Sequence, residues 1–262
     1  MGLKKGIAET LFGSNLRSLN SPDNPNVINA LEVIAECYDS GIPLRTIQFA
    51  CFPEVNVVND LLVVDWNGWE ESLYNTVSRT IGPLERLITR LMEFEVDVAP
   101  ILLVDDKEIT EIRMLALGIQ GDRYADQMKS VKEIFRDKLL ELLSRNGISC
   151  EVLFTSEVWE DVDYYDNVTE MRFDERYINR EVAFLKQFYP QLSQKILVKM
   201  AKIRLNQYRL QGLALTTMCE ADSSLIILGM EYPVRQSVGQ LGLLNRNIPV
   251  IFPATDSEVQ NI

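Results

Sequence analysis

Two successive aspartates, Asp105-Asp106, close the most hydrophobic run of the chain, VDVAPILLVDD. Carboxylates at the end of a buried strand can orient a substrate amine, accept a sugar hydroxyl or act as a base. A second concentration of chemistry lies in GMEYPVRQS, where Glu231, Tyr232 and Arg235 bring a carboxylate, a phenol and a guanidinium within five residues. Pro233 fixes the backbone that presents them, and Arg235 suits bidentate capture of a carboxylate or phosphate. Asp105, Asp106, Glu231 and Tyr232 are therefore the candidate catalytic residues. The structural alternative is that strand ends meet solvent and carry charge, and that GMEYPVRQS is an ordinary turn.

A third pattern is electrostatic. From Gln191 to Cys219 there is no Asp or Glu, while Lys195, Lys199, Lys202, Arg204 and Arg209 all fall there. The three lysines recur at i, i+4 and i+7 with Arg209 seven residues further on, so on a helix these four share one stripe. Solvated helix faces mix both signs, and a one-sign stripe suits a phosphate, a nucleic-acid backbone or an acidic partner. Lys199, Lys202, Arg204 and Arg235 are the candidate substrate- and phosphate-binding residues. The competing outcome is pairing with the acidic stretch 157–175, which holds Glu157, Glu160, Asp161, Asp163, Asp166, Glu170, Asp174 and Glu175.

The chain contains no histidine. That removes Ser-His-Asp and Cys-His nucleophile systems and the commonest proton shuttle, so acid–base work falls to Asp, Glu, Lys, Tyr or Cys. Cys37, Cys51, Cys150 and Cys219 lie far apart with no C-x-x-C pair, so no metal site is expected and the thiols read as small buried hydrophobes. ACFPEVNVV, after the first strand, offers neither G-x-G-x-x-G nor G-x-x-x-x-G-K, which weighs against nicotinamide, flavin and ATP. No cofactor is expected. The formal net charge of −12 opposes non-specific duplex binding at long range, though a local basic site can persist within it. No apolar run approaches the roughly 20 residues of a membrane span, and MGLKKGIAETLFGSN lacks signal-peptide form. A cytoplasmic location without membrane contact is expected.

These side chains need a scaffold. NVINALEVIAECYD carries apolar residues at helical spacing and ends in Ser40-Gly41-Ile42-Pro43. LRTIQFACF, about 44–52, is β-branched and aromatic and stops at Pro53. VNVVNDLLVVDWNG fits a short strand or a cover over the sheet. WEESLYNTVSRTIGPLERLITRLMEF reads as helix with a break at Gly82-Pro83, and VDVAPILLVDD suits a strand buried on both faces. An amphipathic helix spans about 121–146 with Gly147 as its cap. ISCEVLFTSEVW is a third strand candidate, helices occupy about 174–218, and SSLIILGMEYP and IPVIFPA complete the strands. The alternation predicts an α/β fold: a Rossmann-like, doubly wound, mostly parallel sheet of about five strands with flanking helices. We expect one domain over 1–262 with an N-terminal helical extension at about 1–43. Ligands of such sheets bind outside the carboxyl ends of the strands, where Asp105-Asp106, Thr155-Ser156-Glu157 and Glu231 to Arg235 fall.

Read in order, IPLRTIQFACFP, the WEESL helix start, APILLVDD, LALGIQGDRYADQM, EVLFTSE and LGMEYPVRQS resemble the landmarks of the isocyanide synthases, the pyoverdine/dityrosine biosynthesis family, over roughly residues 30–240. The resemblance implies a Rossmann-like core that converts the amine of an amino acid to an isocyanide, with carbon from a ketopentose phosphate. It aligns Phe52-Pro53 with the family's proline turn, Asp105-Asp106 with its acidic strand end, and Glu231-Tyr232-Pro233 with a segment where the family carries histidine. The chain departs in lacking that histidine and in having Glu54 near the usual lysine. It also resembles the tRNA-dependent cyclodipeptide synthases, which place Glu-x-Pro after a late strand, as Glu231-Tyr232-Pro233 does here. There the departures are the absence of a serine in QFACFP and Ile227 in place of a tyrosine four residues before the glutamate. The resemblances imply a small-molecule biosynthetic enzyme using an amino-acid amine and a phosphorylated sugar, or an aminoacyl transferase taking aminoacyl-tRNA as partner. A non-catalytic binding relative stays open.

Overall fold

The computed structural model of the chain describes residues 25–52, 55–68, 95–106, 124–145, 147–160, 174–228 and 248–251, with a few more between 89–93 and 112–118. Its elements are α1 (Pro25–Ser40), β1 (Leu44–Cys51), β2 (Val55–Val58), β3 (Leu61–Val64), β4 (Val98–Asp105), α2 (Ala125–Arg145), β5 (Glu151–Phe154), α3 (Thr155–Glu160), α4 (Glu175–Phe188), α5 (Gln194–Ala221), β6 (Leu225–Leu228) and β7 (Val250–Ile251). Most of the expected WEESL helix lies outside the described residues.

Five strands form one sheet in the order β5-β4-β1-β6-β7, and every pairing in it is parallel. Numbered along the chain within this sheet, that order is 3-2-1-4-5, the arrangement of a Rossmann-type doubly wound sheet. The expected α/β architecture is what the chain adopts. Both faces are apolar because both are covered. On one face Leu44, Leu102, Val104, Val152, Phe154, Ile226 and Leu228 pack with Val27, Ala30, Leu31 and Ile34 of α1 and Met128, Val131 and Phe135 of α2. On the other, Ile47, Ile101, Leu103, Leu225 and Ile227 meet Leu215, Met218 and Cys219 of α5 and Val158 of α3.

The helical segments that lead into β1, β4 and β5 end in one local motif. Gly41 donates its N–H to the carbonyl of Tyr38 and Ile42 to that of Cys37; Glu95 and Val96 do the same to Met92 and Leu91, and Gly147 and Ile148 to Ser144 and Leu143. These paired bonds satisfy the last carbonyls of a helix when the residue after it takes a left-handed backbone. Gly41, Glu95 and Gly147 have φ of 66°, 59° and 73°, so Glu95 occupies a position that suits glycine. The segment that fitted either a short strand or a cover is both. β2 and β3 pair antiparallel across Asn59 and Asp60, whose φ values of 52° and 63° fit a two-residue hairpin turn. The hairpin is pinned to α2 by Gln127, whose Oε1 accepts from the Leu62 N–H at 2.8 Å.

α5 has 28 residues, about 42 Å of helix at 1.5 Å per residue, against about 26 Å for an eight-residue strand. Its carboxyl half packs on the sheet and hands over to β6 at the amino end, where Arg45 N–H donates to the Ser224 carbonyl. Its amino half reaches past that face and forms a hairpin with α4 around Val182, Leu185, Leu197, Met200 and Ala201, a third apolar cluster that also takes in Ile112. Ser193 caps the helix through its side-chain oxygen, which accepts from Ile196 N–H.

Candidate functional site

The strand order reverses direction between β1 and β6, and in sheets of this kind ligands bind at that switch point, outside the carboxyl ends of the strands. β1 and β6 lie in register from Arg45↔Leu225 to Gln48↔Leu228. β6 ends at Leu228, opposite Gln48 of β1; Glu231, Tyr232 and Arg235 lie outside the described residues. On the other flank, β4 runs alongside β1 until Cys51 stands opposite Asp105. Asp105 ends β4 at the carboxyl edge of the sheet; its side chain is not among those described.

Asp106 is 1% exposed, and every oxygen it has is used. Oδ1 accepts from Thr155 Oγ1 and from the Ser156 backbone N–H, each at 3.1 Å. Oδ2 accepts from Ser156 Oγ at 2.8 Å and forms an ion pair with Lys132 Nζ. The ammonium of Lys132 also donates to Ser156 Oγ at 2.7 Å. A buried carboxylate persists only when paired and hydrogen-bonded, and Asp106 meets both conditions with groups from the first two residues of α3 and from α2. It ties together the ends of two strands and a crossover helix. A carboxylate so occupied positions its neighbours and has no free lone pair for a substrate proton.

Beneath this cluster Phe52, Phe135 and Phe154 make an aromatic triad with ring centroids 5.1 to 6.1 Å apart. Arg136 stacks over Phe154 at 4.8 Å and Lys132 at 5.6 Å. Arg136 also grips both oxygens of Glu157 at 2.7 Å, and Glu157 accepts from the Phe154 N–H. Thr155, Ser156 and Glu157 were marked in the sequence only as residues following a strand. Lys132 gave no sequence signal, because a lysine on an amphipathic helix is ordinary until the fold shows what it faces.

The basic residues divide into two groups. Lys195, Lys199 and Lys202 are exposed on α5, opposite the face that packs on α4 through Leu197, Met200 and Ala201. Among the described residues, no carboxylate forms an ion pair with any of the three. The acid-free stretch extends further back than Gln191, from Val182 to Cys219. Arg204 belongs elsewhere: its Nε is 3.2 Å from Glu181 Oε2, with the two side chains 14% and 1% exposed, and its guanidinium lies 4.8 Å over the Phe184 ring. It joins α4 to α5. Arg209 falls within α5, and its side chain is not among those described; of the acidic stretch, 161–173 also lies outside the described residues.

A shallow hollow of about 410 Å³ lies between Cys37 and Ser40 of α1 and Ser223-Ser224, at the amino end of the sheet and away from the switch point. No described helix is long and apolar enough to cross a membrane. Among the described residues no group of three or more Cys, Asp or Glu is arranged to hold a metal ion.

No family model and no curated protein matches the chain. Among solved structures, the cyclodipeptide synthase from Candidatus Glomeribacter gigasporarum bound to Phe-tRNAPhe is similar over 81% of this chain and 88% of that chain, with a TM-score of 0.43 and 9% sequence identity.

Proposed function

We propose that the chain is an aminoacyl transferase that takes its substrate from aminoacyl-tRNA. The observation that carries this reading is the row Lys195, Lys199 and Lys202: three exposed cations on one helix face, without acidic partners among the described residues, in a protein of net charge −12. Such a row neutralises consecutive phosphates of a nucleic-acid strand. A short anionic metabolite needs fewer cations and a closed pocket.

In this reading the lysines hold the RNA while its aminoacylated end reaches the switch point. The amine that attacks an aminoacyl ester must lose a proton as the amide bond forms, and the ester C–O bond breaks to release the terminal ribose hydroxyl of the tRNA, which takes a proton up; Asp105, Glu231 and Tyr232 are the groups assigned to carry that proton from the amine to the leaving oxygen. Asp106 fixes the backbone beside Asp105 and is a positioning residue. Arg235 binds a phosphate near the reacting end. The test is incubation with a pool of aminoacyl-tRNAs, scored by mass spectrometry for new amide products. Enzyme-dependent products that vanish for Lys195→Glu/Lys199→Glu/Lys202→Glu support the proposal. Products formed from free amino acid and pentose phosphate, with aminoacyl-tRNA untouched, overturn it in favour of the isocyanide chemistry.

A further inference from the structure

The tip of the α4–α5 hairpin carries a large aromatic ring in the open. Phe188 is 62% exposed, at the last position of α4. Its ring is backed by Phe184, with centroids 5.0 Å apart and planes at 56°. Phe184 is in turn covered by the Arg204 guanidinium at 4.8 Å, which Glu181 anchors. The ring therefore stands at the end of a braced stack, and little side-chain freedom remains to be lost on binding. Lys186 lies in the last turn of α4 and Lys195 in the first turn of α5, and no acid occurs from Val182 to Cys219. An exposed ring among cations that have no acidic partner among the described residues fits a ligand that offers π-faces and negative charge in alternation, as a single-stranded nucleotide segment does.

We infer that Phe188 is a stacking platform for an unpaired base of the RNA held by the lysine row, next to a duplex end; this rests on the RNA reading above. Full-length protein is titrated with an RNA hairpin bearing a four-nucleotide 3′ tail and with its blunt counterpart. The tailed RNA is expected to bind more tightly by about 5- to 150-fold, the range for one base on one aromatic ring. Phe188→Ala should abolish that preference and Phe188→Trp should keep it. Phe188→Ala should leave the salt dependence unchanged, whereas Lys199→Gln lowers the slope by about one.

Binding of both RNAs with equal affinity, or a tail preference that survives Phe188→Ala, overturns the inference and leaves the RNA reading standing. If neither RNA binds, both readings are overturned. A change in the protein's solution mass on Phe188→Ala would assign the ring to contact with a second copy, and that too overturns it.

Discussion

The most informative single substitution is Asp106→Asn. Asparagine keeps an oxygen for the Thr155 hydroxyl and the Ser156 N–H, but it turns an amide NH₂ toward Lys132 and Ser156 Oγ, where a charged oxygen stood. Ser156 can rotate to accept from that amide. Lys132 cannot adapt so easily, because its ammonium is left against a donor with only 24% of its side chain exposed. Removing one partner of a buried pair costs about 3–5 kcal/mol, and since Lys132 retains a path to water we expect about 3 kcal/mol. For a domain of this size that lowers Tm by about 6–12 °C. Urea unfolding followed by circular dichroism measures the change. Lys132→Met should rescue part of it, so the double variant should be less destabilised than the two singles added together. A loss below about 1 kcal/mol, or strict additivity, would refute the view that this cluster holds the sheet's carboxyl end together.

Three further outcomes follow from the same geometry. Glu95→Gly should stabilise the protein by about 0.5–1 kcal/mol in the same urea assay, because the left-handed backbone at residue 95 strains any side chain. Burial pushes the Cys150 thiol up to about 11 and the Cys219 thiol up to about 12 from the ordinary 9.0. The folded state then holds protons that the unfolded state releases, so stability is complete below pH 9 and falls as pH rises through 11 to 12; replacing both thiols by alanine should flatten that fall. Burial pushes the Asp222 carboxyl up, but hydrogen bonds from Ser224 and Arg45 outweigh it and leave the group below the usual carboxylate value. Its contribution is present above the unfolded carboxylate pKa and lost as pH falls through the lower folded value, so Asp222→Asn should weaken the acid-side drop in stability.

The sheet was legible because parallel strands buried on both faces are continuous apolar runs, and LRTIQFAC, VAPILLVD and LIIL have that form. The β2–β3 hairpin was hidden by its turn: Asn-Asp takes the left-handed backbone less familiarly than Asn-Gly, so two strands looked like one apolar connection. The third strand candidate, ISCEVLFTSEVW, is longer than the strand that forms. β5 stops at Phe154 because Asp106, far off in sequence, takes the Thr155 hydroxyl and the Ser156 N–H and starts α3 there. The lysine row followed directly from helical spacing. Arg204 did not, since position within an acid-free stretch says nothing about which face a residue occupies; two residues past Lys202, it falls on the packed side. Asp106 was found for its place at a strand end. Its partners Lys132 and Ser156, 26 and 50 residues further along the chain, emerge only from the fold.

The central claim is that the lysine face of α5 holds an RNA backbone, and the salt dependence of tRNA binding tests it most directly. Each phosphate neutralised adds about 0.7–0.9 to the slope of log affinity against log salt. Lys195, Lys199 and Lys202 together predict that changing all three to glutamine lowers the slope by about 2–3 and weakens binding at low salt. Unchanged affinity and slope in the triple variant would contradict the account.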